Sequence, residues 1–255
     1  MDAIVMAGGY GTRIGELAAI HKCKPLIPLS GKPCIEWVLR ELRELDLRNI
    51  FIVVDREEIV PAFKDIVRRE NLSNIVIHRQ FGRHSSGEAM VDLEDQISDT
   101  FILAYGNNLV PYKFYSNMIK SCENNELGIA IYGIQTSRSK RVATLDENGT
   151  VSLAYFKDSA QYYFSSGSLF FDKPFLLNEE FIHYLLKRNL NSTLALIKWA
   201  EEGRPINYFS ADFPPEFHYV WEIPALEERI RSEMLPDKNA NVPRIPLAVL
   251  ASSKR

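Results

Sequence analysis

Residues 7–13 read Ala7-Gly8-Gly9-Tyr10-Gly11-Thr12-Arg13, and they directly follow a continuous apolar run that is typical of a buried strand. The three glycines let the backbone turn sharply and bring its N–H groups close to a ligand. Amides arranged in this way bind phosphate oxygens, and Arg13 adds a permanently charged donor fork. The stretch therefore predicts a phosphate-binding loop at the end of a strand.

Two commoner glycine loops do not fit this stretch. A dinucleotide-binding GxGxxG motif would start at Gly9, but its sixth position is Ile14. Asp55 lies far beyond the distance of about 20 residues at which the ribose-binding acid of that motif is expected. The GxxxxGK[ST] motif of P-loop proteins is absent from the sequence. A glycine-rich turn without a ligand remains as the alternative, but it does not explain why threonine and arginine follow the glycines.

The segments after this loop alternate between short apolar runs and amphipathic stretches. Strands separated by helices imply a Rossmann-like α/β fold, with a mostly parallel sheet and helices on both faces. In such sheets, ligands bind outside the carboxyl ends of the strands, which is where the glycine loop is expected. The predicted strands are residues 3–7, 50–54, 75–77 and 101–104, and the predicted helices are residues 35–45, a helix with Pro61 in its first turn, 88–96 and 112–124.

The second half of the chain predicts a smaller antiparallel region within a mixed sheet. Residues 146–149 are typical of a hairpin turn. We predict a single domain over residues 1–255, with halves over 1–125 and 126–235 and a tail over 236–255. The further predicted elements are strands at 128–135 and 162–171 and helices at 178–188, 192–202 and 224–234.

The composition excludes several classes of protein. The 255 residues are 46% hydrophobic and 25% charged, which is ordinary for a soluble globular protein. A net charge of -3 gives no sign of binding to nucleic acid or to an anionic membrane. Cys23, Cys34 and Cys122 form no CxxC pair, so neither a zinc site nor a disulfide framework is expected. The N-terminus has no signal-peptide pattern, so we expect a cytoplasmic protein, and whether it forms a homo-oligomer is left open.

The segment after the glycine loop strengthens the prediction, because it reads KCKPLIPLSGKP over residues 22–33 and leads into an amphipathic helix. Together the two segments resemble the nucleoside-diphosphate-sugar pyrophosphorylase family, the sugar-1-phosphate nucleotidyltransferases such as glucose-1-phosphate thymidylyltransferases. Cys23 stands where the family usually has proline. The residues that match the family's opening signature are Ala7, Gly8, Gly9, Gly11, Thr12, Arg13, Lys24, Pro28, Gly31, Lys32 and Pro33.

The resemblance implies transfer of a nucleoside monophosphate from an NTP to a phosphorylated small-molecule acceptor, with release of pyrophosphate, in sugar nucleotide biosynthesis. Arg13 and Lys24 would be the catalytic cations, and catalysis would rest on positioning and electrostatics. Gln80 and Gly87 would contact the nucleobase or the ribose, although residues 85–89 are equally compatible with a helix that begins at a serine cap. The residues expected to wrap the NTP phosphates are Ala7, Gly8, Gly9, Gly11 and Thr12.

The metal-binding positions depart from the family pattern. Asn107 stands where the family has an aspartate that binds magnesium, and an amide oxygen can bind a hard cation but brings no charge. Glu222 would replace the second metal-binding aspartate, with a helix N-terminal acid as the alternative. The resemblance thus implies Mg²⁺ as cofactor, with Asn107 and Glu222 as its ligands. Asp2, Asp55 and Asp212 are further carboxylates, but nothing in the sequence places them at the site.

The acceptor-binding positions also depart from the family pattern. Lys157 matches the lysine that holds the acceptor phosphate, but Phe156 replaces the glutamate that contacts the sugar. Arg141 stands where the family has a glycine, with a solvated basic loop as the alternative. Ser166 and Gly167 fall in the family's other sugar-contacting segment. These changes suggest an unusual acceptor, such as a modified sugar phosphate, a cyclitol phosphate or a phosphonate.

Two other functions compete with this interpretation. A non-catalytic regulatory paralogue that binds nucleotide or sugar phosphate would explain Asn107 and Phe156, but not the matched cations. A glycosyltransferase with a similar nucleotide-binding architecture is a weaker alternative, because its DxD-like pair is absent at residues 105–108.

Overall fold

The computed structural model describes residues 1–9, 11–71, 73–80, 85–122, 126–132, 141–145, 151–155, 169–211, 217 and 219–234. The chain divides into two compact units. The glycine-loop unit consists of Ile4–His84, Tyr105–Tyr115 and Glu216–Arg255. The middle unit consists of Met1–Ala3, Ser85–Ala104 and Ser116–Pro215. The single-domain organisation and the division into halves predicted from the sequence stay predictions.

The strands of the glycine-loop unit are β1 (Asp2–Met6, which begins in the middle unit), β4 (Ile50–Val54) and β5 (Ile75–Arg79), in the order β1-β4-β5. β4 and β5 are parallel, with Ile50 opposite Ile75. All five residues of β4 are buried, as expected for a parallel strand that is covered on both faces. The amide of Ala7 donates to the carbonyl of Val53 at 2.8 Å, so the glycine loop leaves β1 beside the end of β4.

Two helices of this unit follow the predicted pattern closely, namely α2 (Cys34–Arg43) and α3 (Val60–Arg69). A third helix, the short α1 (Glu16–His21), is not predicted from the sequence. The apolar residues of α2 recur at helical spacing, and Ile35, Val38, Leu39 and Leu42 are buried. Pro61 lies in the first turn of α3, where its missing N–H costs no helical hydrogen bond.

A short hairpin joins α1 to α2. It consists of β2 (Pro28–Leu29) and β3 (Lys32–Pro33), which pair antiparallel. Ser30 and Gly31 both have positive φ, 49° and 84°, as a two-residue type I′ turn requires. The amide of Ser30 donates to the Glu227 carboxylate at 2.9 Å, which ties the hairpin to α8 (Ile223–Arg229).

Trp37 is the largest buried side chain of α2, and its indole N–H donates to the carbonyl of Leu29 at 2.8 Å. We expect Trp37→Ala to lower the free energy of unfolding by about 3–5 kcal/mol, because it leaves a cavity and removes the donor to a buried carbonyl. Urea denaturation measures this change, with the exposed Glu44→Ala as control. A loss below about 1 kcal/mol would contradict the packing of Trp37, because ordinary surface substitutions produce changes of that size or less.

The middle unit contains the mixed part of the sheet. Its strands are β6 (Thr100–Tyr105, which ends in the glycine-loop unit), β7 (Leu127–Tyr132), β8 (Arg141–Leu145), β9 (Val151–Tyr155), β10 (Leu169–Asn178) and β11 (Ile206–Ala211). Four of them follow the order β11-β7-β10-β6. β11 and β7 are parallel, whereas β10 is antiparallel to both β7 and β6. β8 and β9 form an antiparallel pair, and β8 also pairs with β10.

β10 extends past the end of the strand that the sequence predicts. The predicted strand ends at residue 171, and Pro174 further along cannot donate a hydrogen bond within a sheet. The structure continues the strand to Asn178 through a register shift between Asp172 and Phe175. The bulge accommodates the proline, and the pairing then continues with β6. β11, like the short β2 and β3, is not predicted from the sequence.

The remaining helices are α4 (Ser86–Asp92), α5 (Tyr112–Ser121), α6 (Glu179–Arg188) and α7 (Ser192–Glu201). The side chain of Asn178 accepts from the amide of Phe181 and caps α6, and Asn191 caps α7 in the same way. The predicted α/β fold with a mixed sheet is confirmed, and so is its antiparallel region, which consists of β8, β9 and β10. Among the described helices, none is long and apolar enough to span a bilayer.

Candidate functional site

The glycine loop has the backbone geometry that its sequence predicts. Gly9 and Gly11 have φ values of 92° and 60°, in the region that side chains other than glycine rarely adopt. Gly11 leads into a single 3-10 turn over Thr12–Ile14, and Gly15, with φ of 60°, leads into α1. The loop therefore reverses the chain between the end of β1 and α1 within a few residues.

Gly8 and Gly9 contact a carboxylate that the sequence analysis did not place at the site. The amide of Gly9 donates to Asp55 Oδ2 at 2.8 Å. A Cβ added at Gly8 would lie 2.7 Å from Asp55 Cγ, so Gly8 has no room for a side chain. Asp55 directly follows β4, the neighbour of β1 in the sheet. Its place at the end of the adjacent strand is the signal that could have identified it, because such ends lie close together.

Gly11 is packed over the stem of Lys24. A Cβ at Gly11 would lie 3.1 Å from Lys24 Cγ and 3.1 Å from Ala18 Cβ. Gly11 therefore needs to be glycine for its positive φ and for this close approach. The contact brings the second predicted catalytic cation directly beneath the loop.

The two predicted catalytic cations have different surroundings. Arg13 is exposed and forms no ion pair with any carboxylate of the described residues. Lys24 is partly buried, and its Nζ donates to the carbonyl of Phe217 at 2.6 Å and lies 5.5 Å from the centroid of the Phe217 ring. Phe217 is itself fully buried. The ammonium of Lys24 is thus held in place, whereas the Arg13 guanidinium extends into solvent.

Gly106, which follows β6, lies beside Pro25. The amide of Gly106 donates to the carbonyl of Met6 at 2.9 Å, so the ends of β1 and β6 are adjacent. A Cβ at Gly106 would lie 3.1 Å from the Pro25 side chain. Asn107 follows immediately and is buried. The sequence thus correctly predicts that Asn107 lies at the carboxyl edge of the sheet, and its role as a metal ligand stays a prediction.

The Glu222 carboxylate accepts a hydrogen bond within its own turn of the chain. It accepts from the amide of Tyr219 at 2.9 Å, at the start of the 3-10 turn that leads into α8. This is the arrangement expected for a helix N-terminal acid. Trp221, in the same turn, is 56% exposed and stacks on Tyr219 with ring centroids 4.3 Å apart.

A magnesium site is incompletely supplied by the described residues. They contain no group of three or more His, Cys, Asp or Glu side chains arranged to hold a metal ion. Asn107 offers a neutral oxygen and Glu222 a carboxylate that already caps a turn. Mg²⁺ bound with an NTP takes most of its ligands from phosphate oxygens and water and needs only one or two protein carboxylates. Asn107 and Glu222 therefore remain proposed ligands of an NTP-bound cation.

The residues predicted to contact the nucleobase or the ribose form local contacts within the fold. The amide of Gln80, which follows β5, donates to the carbonyl of Val54 at 2.9 Å. Ser85 caps α4, because its hydroxyl accepts from the amide of Glu88, and the helix begins earlier than predicted. A Cβ at Gly87 would lie 3.3 Å from the Leu185 side chain, so Gly87 allows α4 to pack closely on α6. Roles for Gln80 and Gly87 in nucleotide binding stay predictions.

The predicted acceptor residues are almost all outside the part of the chain that the structure describes. Arg141 begins β8, where its backbone pairs with Tyr155. Lys157, Ser166 and Gly167 lie outside the described residues, as do Phe156 and the turn predicted at residues 146–149. Their roles in acceptor binding stay predictions.

Cys23, between the two lysines of the motif, is fully buried. Burial raises the pKa of its thiol to about 12, despite a smaller opposing effect of the Arg56 charge. The thiolate is the reactive form, so we expect iodoacetamide at pH 8 to modify Cys23 at least about 100-fold more slowly in the folded protein than in urea. Cys122, whose pKa burial raises to about 11, serves as the partly exposed comparison. Mass spectrometry of the labelled peptides measures both rates, and rapid labelling of Cys23 in the folded state would contradict its burial.

The segment that carries the glycine loop is similar to a known protein family. Residues 3–86 match the family model of the MobA-like NTP transferase domain, which covers the glycine loop, Lys24, Asp55 and Gln80. The resemblance to nucleotidyltransferases predicted from the opening motif is thereby confirmed.

Particular relatives agree with this class. The bifunctional protein GlmU of Methanocaldococcus jannaschii is 24% identical over 153 residues, 59% of this chain and 34% of that protein. A Sulfolobus acidocaldarius protein described as a mannose-1-phosphate guanyltransferase is 23% identical over 225 residues, 82% of this chain and 61% of that protein. The match thus spans about a third of the GlmU relative and less than two thirds of the second.

A solved structure shows the same fold. A Bacillus anthracis protein described as a glucose-1-phosphate thymidylyltransferase superposes with a TM-score of 0.73 over 96% of this chain and 98% of that chain. The sequence identity is 15%, so the superposition establishes the fold and no more. The predicted Rossmann-like α/β fold is confirmed.

Proposed function

We propose that the chain is a nucleotidyltransferase that transfers a nucleoside monophosphate from an NTP to a phosphorylated small molecule and releases pyrophosphate. The observation that carries the proposal is the glycine loop, which has left-handed glycines at positions 9 and 11, the exposed Arg13 and the anchored Lys24 beneath it. The family model that covers residues 3–86 supports the same reaction class.

The reaction needs little chemistry from the protein. An oxygen of the acceptor phosphate attacks the α-phosphorus of the NTP, and the bond to the bridging oxygen of the β-phosphate breaks. The electron pair leaves with pyrophosphate, so negative charge grows on the departing group. A phosphate is already a nucleophile at neutral pH, so no general base is required. Catalysis is then a matter of alignment and of cations near the transferred and departing phosphates.

Arg13 and Lys24 would divide this work. The Arg13 guanidinium is exposed, and its planar fork can bind two phosphate oxygens at once. The ammonium of Lys24 is held by the Phe217 carbonyl, which fixes where its charge lies beneath the loop. A fixed charge stabilises the transition state without reorganising during the reaction. A bound Mg²⁺ would add charge neutralisation on the NTP phosphates, with Asn107 and Glu222 as its candidate ligands from the protein.

The acceptor is proposed as one of several classes of phosphorylated small molecule. The relatives described above carry the names of mannose-1-phosphate and glucose-1-phosphate enzymes, which favours a sugar 1-phosphate. Phe156 and Arg141 stand where the resembling family has a glutamate and a glycine, which favours a modified sugar phosphate, a cyclitol phosphate or a phosphonate. Lys157, Arg141, Ser166 and Gly167 are the residues proposed to bind it.

The test is pyrophosphate release from a matrix of five NTPs and a panel of sugar 1-phosphates, cyclitol phosphates and phosphonates, with Mg²⁺ or Mn²⁺. We expect release that requires one NTP and one acceptor. Turnover of ordinary glucose 1-phosphate or mannose 1-phosphate alone would contradict the unusual acceptor. Nucleotide binding without release from any pair would favour the regulatory paralogue instead.

A further inference from the structure

Two consecutive side chains at the end of β4 contact both ends of the segment that carries the glycine loop. Asp55 accepts from the amide of Gly9 at 2.8 Å. Arg56 Nη2 donates to the carbonyl of Lys22 at 2.8 Å and lies within hydrogen-bonding distance of the Gly9 carbonyl at 3.4 Å. Gly9 lies at the start of the loop, and Lys22 directly follows α1 as its C-cap residue. The pair therefore contacts both the start of the glycine loop and the end of the helix that follows it.

The side chains of Asp55 and Arg56 are largely buried, and their opposite charges compensate each other. The side chains of Asp55 and Arg56 are only 5% and 11% exposed, and Arg56 Nε lies 3.2 Å from Asp55 Oδ1. An uncompensated carboxylate next to a phosphate loop would repel a triphosphate, and an uncompensated buried charge is costly in itself. The adjacent guanidinium balances the Asp55 charge while both side chains bind the backbone. The arrangement thus keeps an acid at an anion-binding loop without adding net negative charge to it.

We propose that Asp55 and Arg56 are positioning residues that clamp the glycine loop in its phosphate-binding conformation. This inference rests on the proposed function for its effect on nucleotide binding. Asp55 fixes the Gly9 amide, and Arg56 fixes the Lys22 carbonyl two residues before Lys24. The clamp thereby sets the positions of the loop backbone and of the catalytic lysine together. Neither side chain is assigned a contact with the reacting phosphates.

The clamp gives two glycines of the motif a role other than phosphate binding. The Gly9 amide is bonded to Asp55, so it is not one of the amides that bind phosphate. Gly8 is glycine because a Cβ would lie 2.7 Å from Asp55 Cγ and 2.9 Å from Oδ1, and not because a ligand approaches it. Substitutions at positions 8 and 55 should therefore be coupled, because the clash exists only while the Asp55 carboxylate is present.

The first test measures the hydrogen bonding of the loop in the absence of any ligand. Hydrogen exchange of the Gly9 amide, followed by NMR, is expected to accelerate about tenfold or more in Asp55→Ala, because its acceptor is lost. Asp55→Asn keeps an oxygen that can accept from Gly9 and should restore part of the protection. Glu58→Gln is the matched control, since the exposed Glu58 carboxylate lies 3.7 Å from Arg56 and contacts no loop backbone in the described contacts. Unchanged exchange in Asp55→Ala would overturn the clamp.

The second test measures nucleotide binding and catalysis. With the NTP identified by pyrophosphate release, Asp55→Ala and Arg56→Lys are expected to raise the Kd and KM for NTP about tenfold, with a smaller change in kcat. Addition of NTP should leave the Gly9 amide shift of the unsubstituted protein nearly unchanged, because Asp55 keeps that donor. A normal KM in Asp55→Ala would overturn the positioning role, even if Gly9 exchange increased.

The double substitution Gly8→Ala with Asp55→Gly covers the case in which single variants fold poorly. If the clash explains Gly8, then Gly8→Ala should weaken NTP binding strongly alone but little further in the Asp55→Gly background. Equal losses in both backgrounds would overturn the reassignment. If the unsubstituted protein binds no NTP, the proposed function fails, whereas the exchange rates of Gly9 still decide whether the clamp exists.

Discussion

Arg13→Ala is expected to lower kcat/KM for pyrophosphate release about 100- to 1000-fold, the loss found when a preorganised donor to developing charge is removed. Arg13 is exposed, so its removal should leave the melting temperature unchanged. Arg13→Lys keeps the charge but loses the planar fork, and should recover only part of the activity. Steady-state kinetics at saturating acceptor, together with thermal unfolding, separate the catalytic loss from any loss of folded protein.

Arg43→Ala is the control for this substitution, since Arg43 is also exposed, in the last turn of α2 of the same unit. It should retain full activity. Comparable activity in Arg13→Ala and Arg43→Ala would remove Arg13 from the catalytic machinery and leave the exposed arginine of the motif without a function.

Lys24→Ala is expected to lower kcat/KM by a similar factor of about 100 to 1000. Unlike Arg13, Lys24 also has a structural contact, because its ammonium donates to the carbonyl of the fully buried Phe217. Hydrogen bonds to charged groups contribute about 1.5–3 kcal/mol, so the free energy of unfolding should fall by about that amount. Urea denaturation followed by circular dichroism measures the stability, and pyrophosphate release measures the activity.

Lys22→Ala provides the matched control two residues earlier in the same motif. Lys22 is exposed, and among the described residues its side chain reaches only the carbonyl of Glu58, at the long distance of 3.5 Å. We expect its activity and stability to stay close to those of the unsubstituted protein. If Lys22→Ala lost as much activity as Lys24→Ala, general positive charge near the loop, and not the anchored lysine, would account for the effect.

The parts of the fold that local sequence determines were predictable. β4 is predicted at residues 50–54 and observed as Ile50–Val54, because an uninterrupted apolar run has few alternatives to a buried strand. α3 begins near Pro61 because proline suits a first helical turn. The extension of β10 past Pro174 was not predictable from the residues themselves, since it depends on a bulge against β7.

The residues of the candidate site also fall into two groups, those that local sequence identifies and those that only the fold brings together. The glycine loop and Lys24 lie within one short segment, so their sequence pattern identifies them. Asp55 is 46 residues away from Gly9, and Phe217 is 193 residues away from Lys24. Only the pairing of β1 with β4 and the return of the chain near Phe217 bring these groups to the loop. No spacing rule in the sequence contains that information.

In the proposed reaction, this chain transfers the α-phosphorus of an NTP to the acceptor and not the γ-phosphorus. The most direct test gives the protein one NTP, radiolabelled at either its α- or its γ-phosphorus, with the acceptor that supports pyrophosphate release. We expect the α label to appear in the acceptor product and the γ label in pyrophosphate. Transfer of the γ label to the acceptor, or retention of both labels in bound but unreacted NTP, would contradict it.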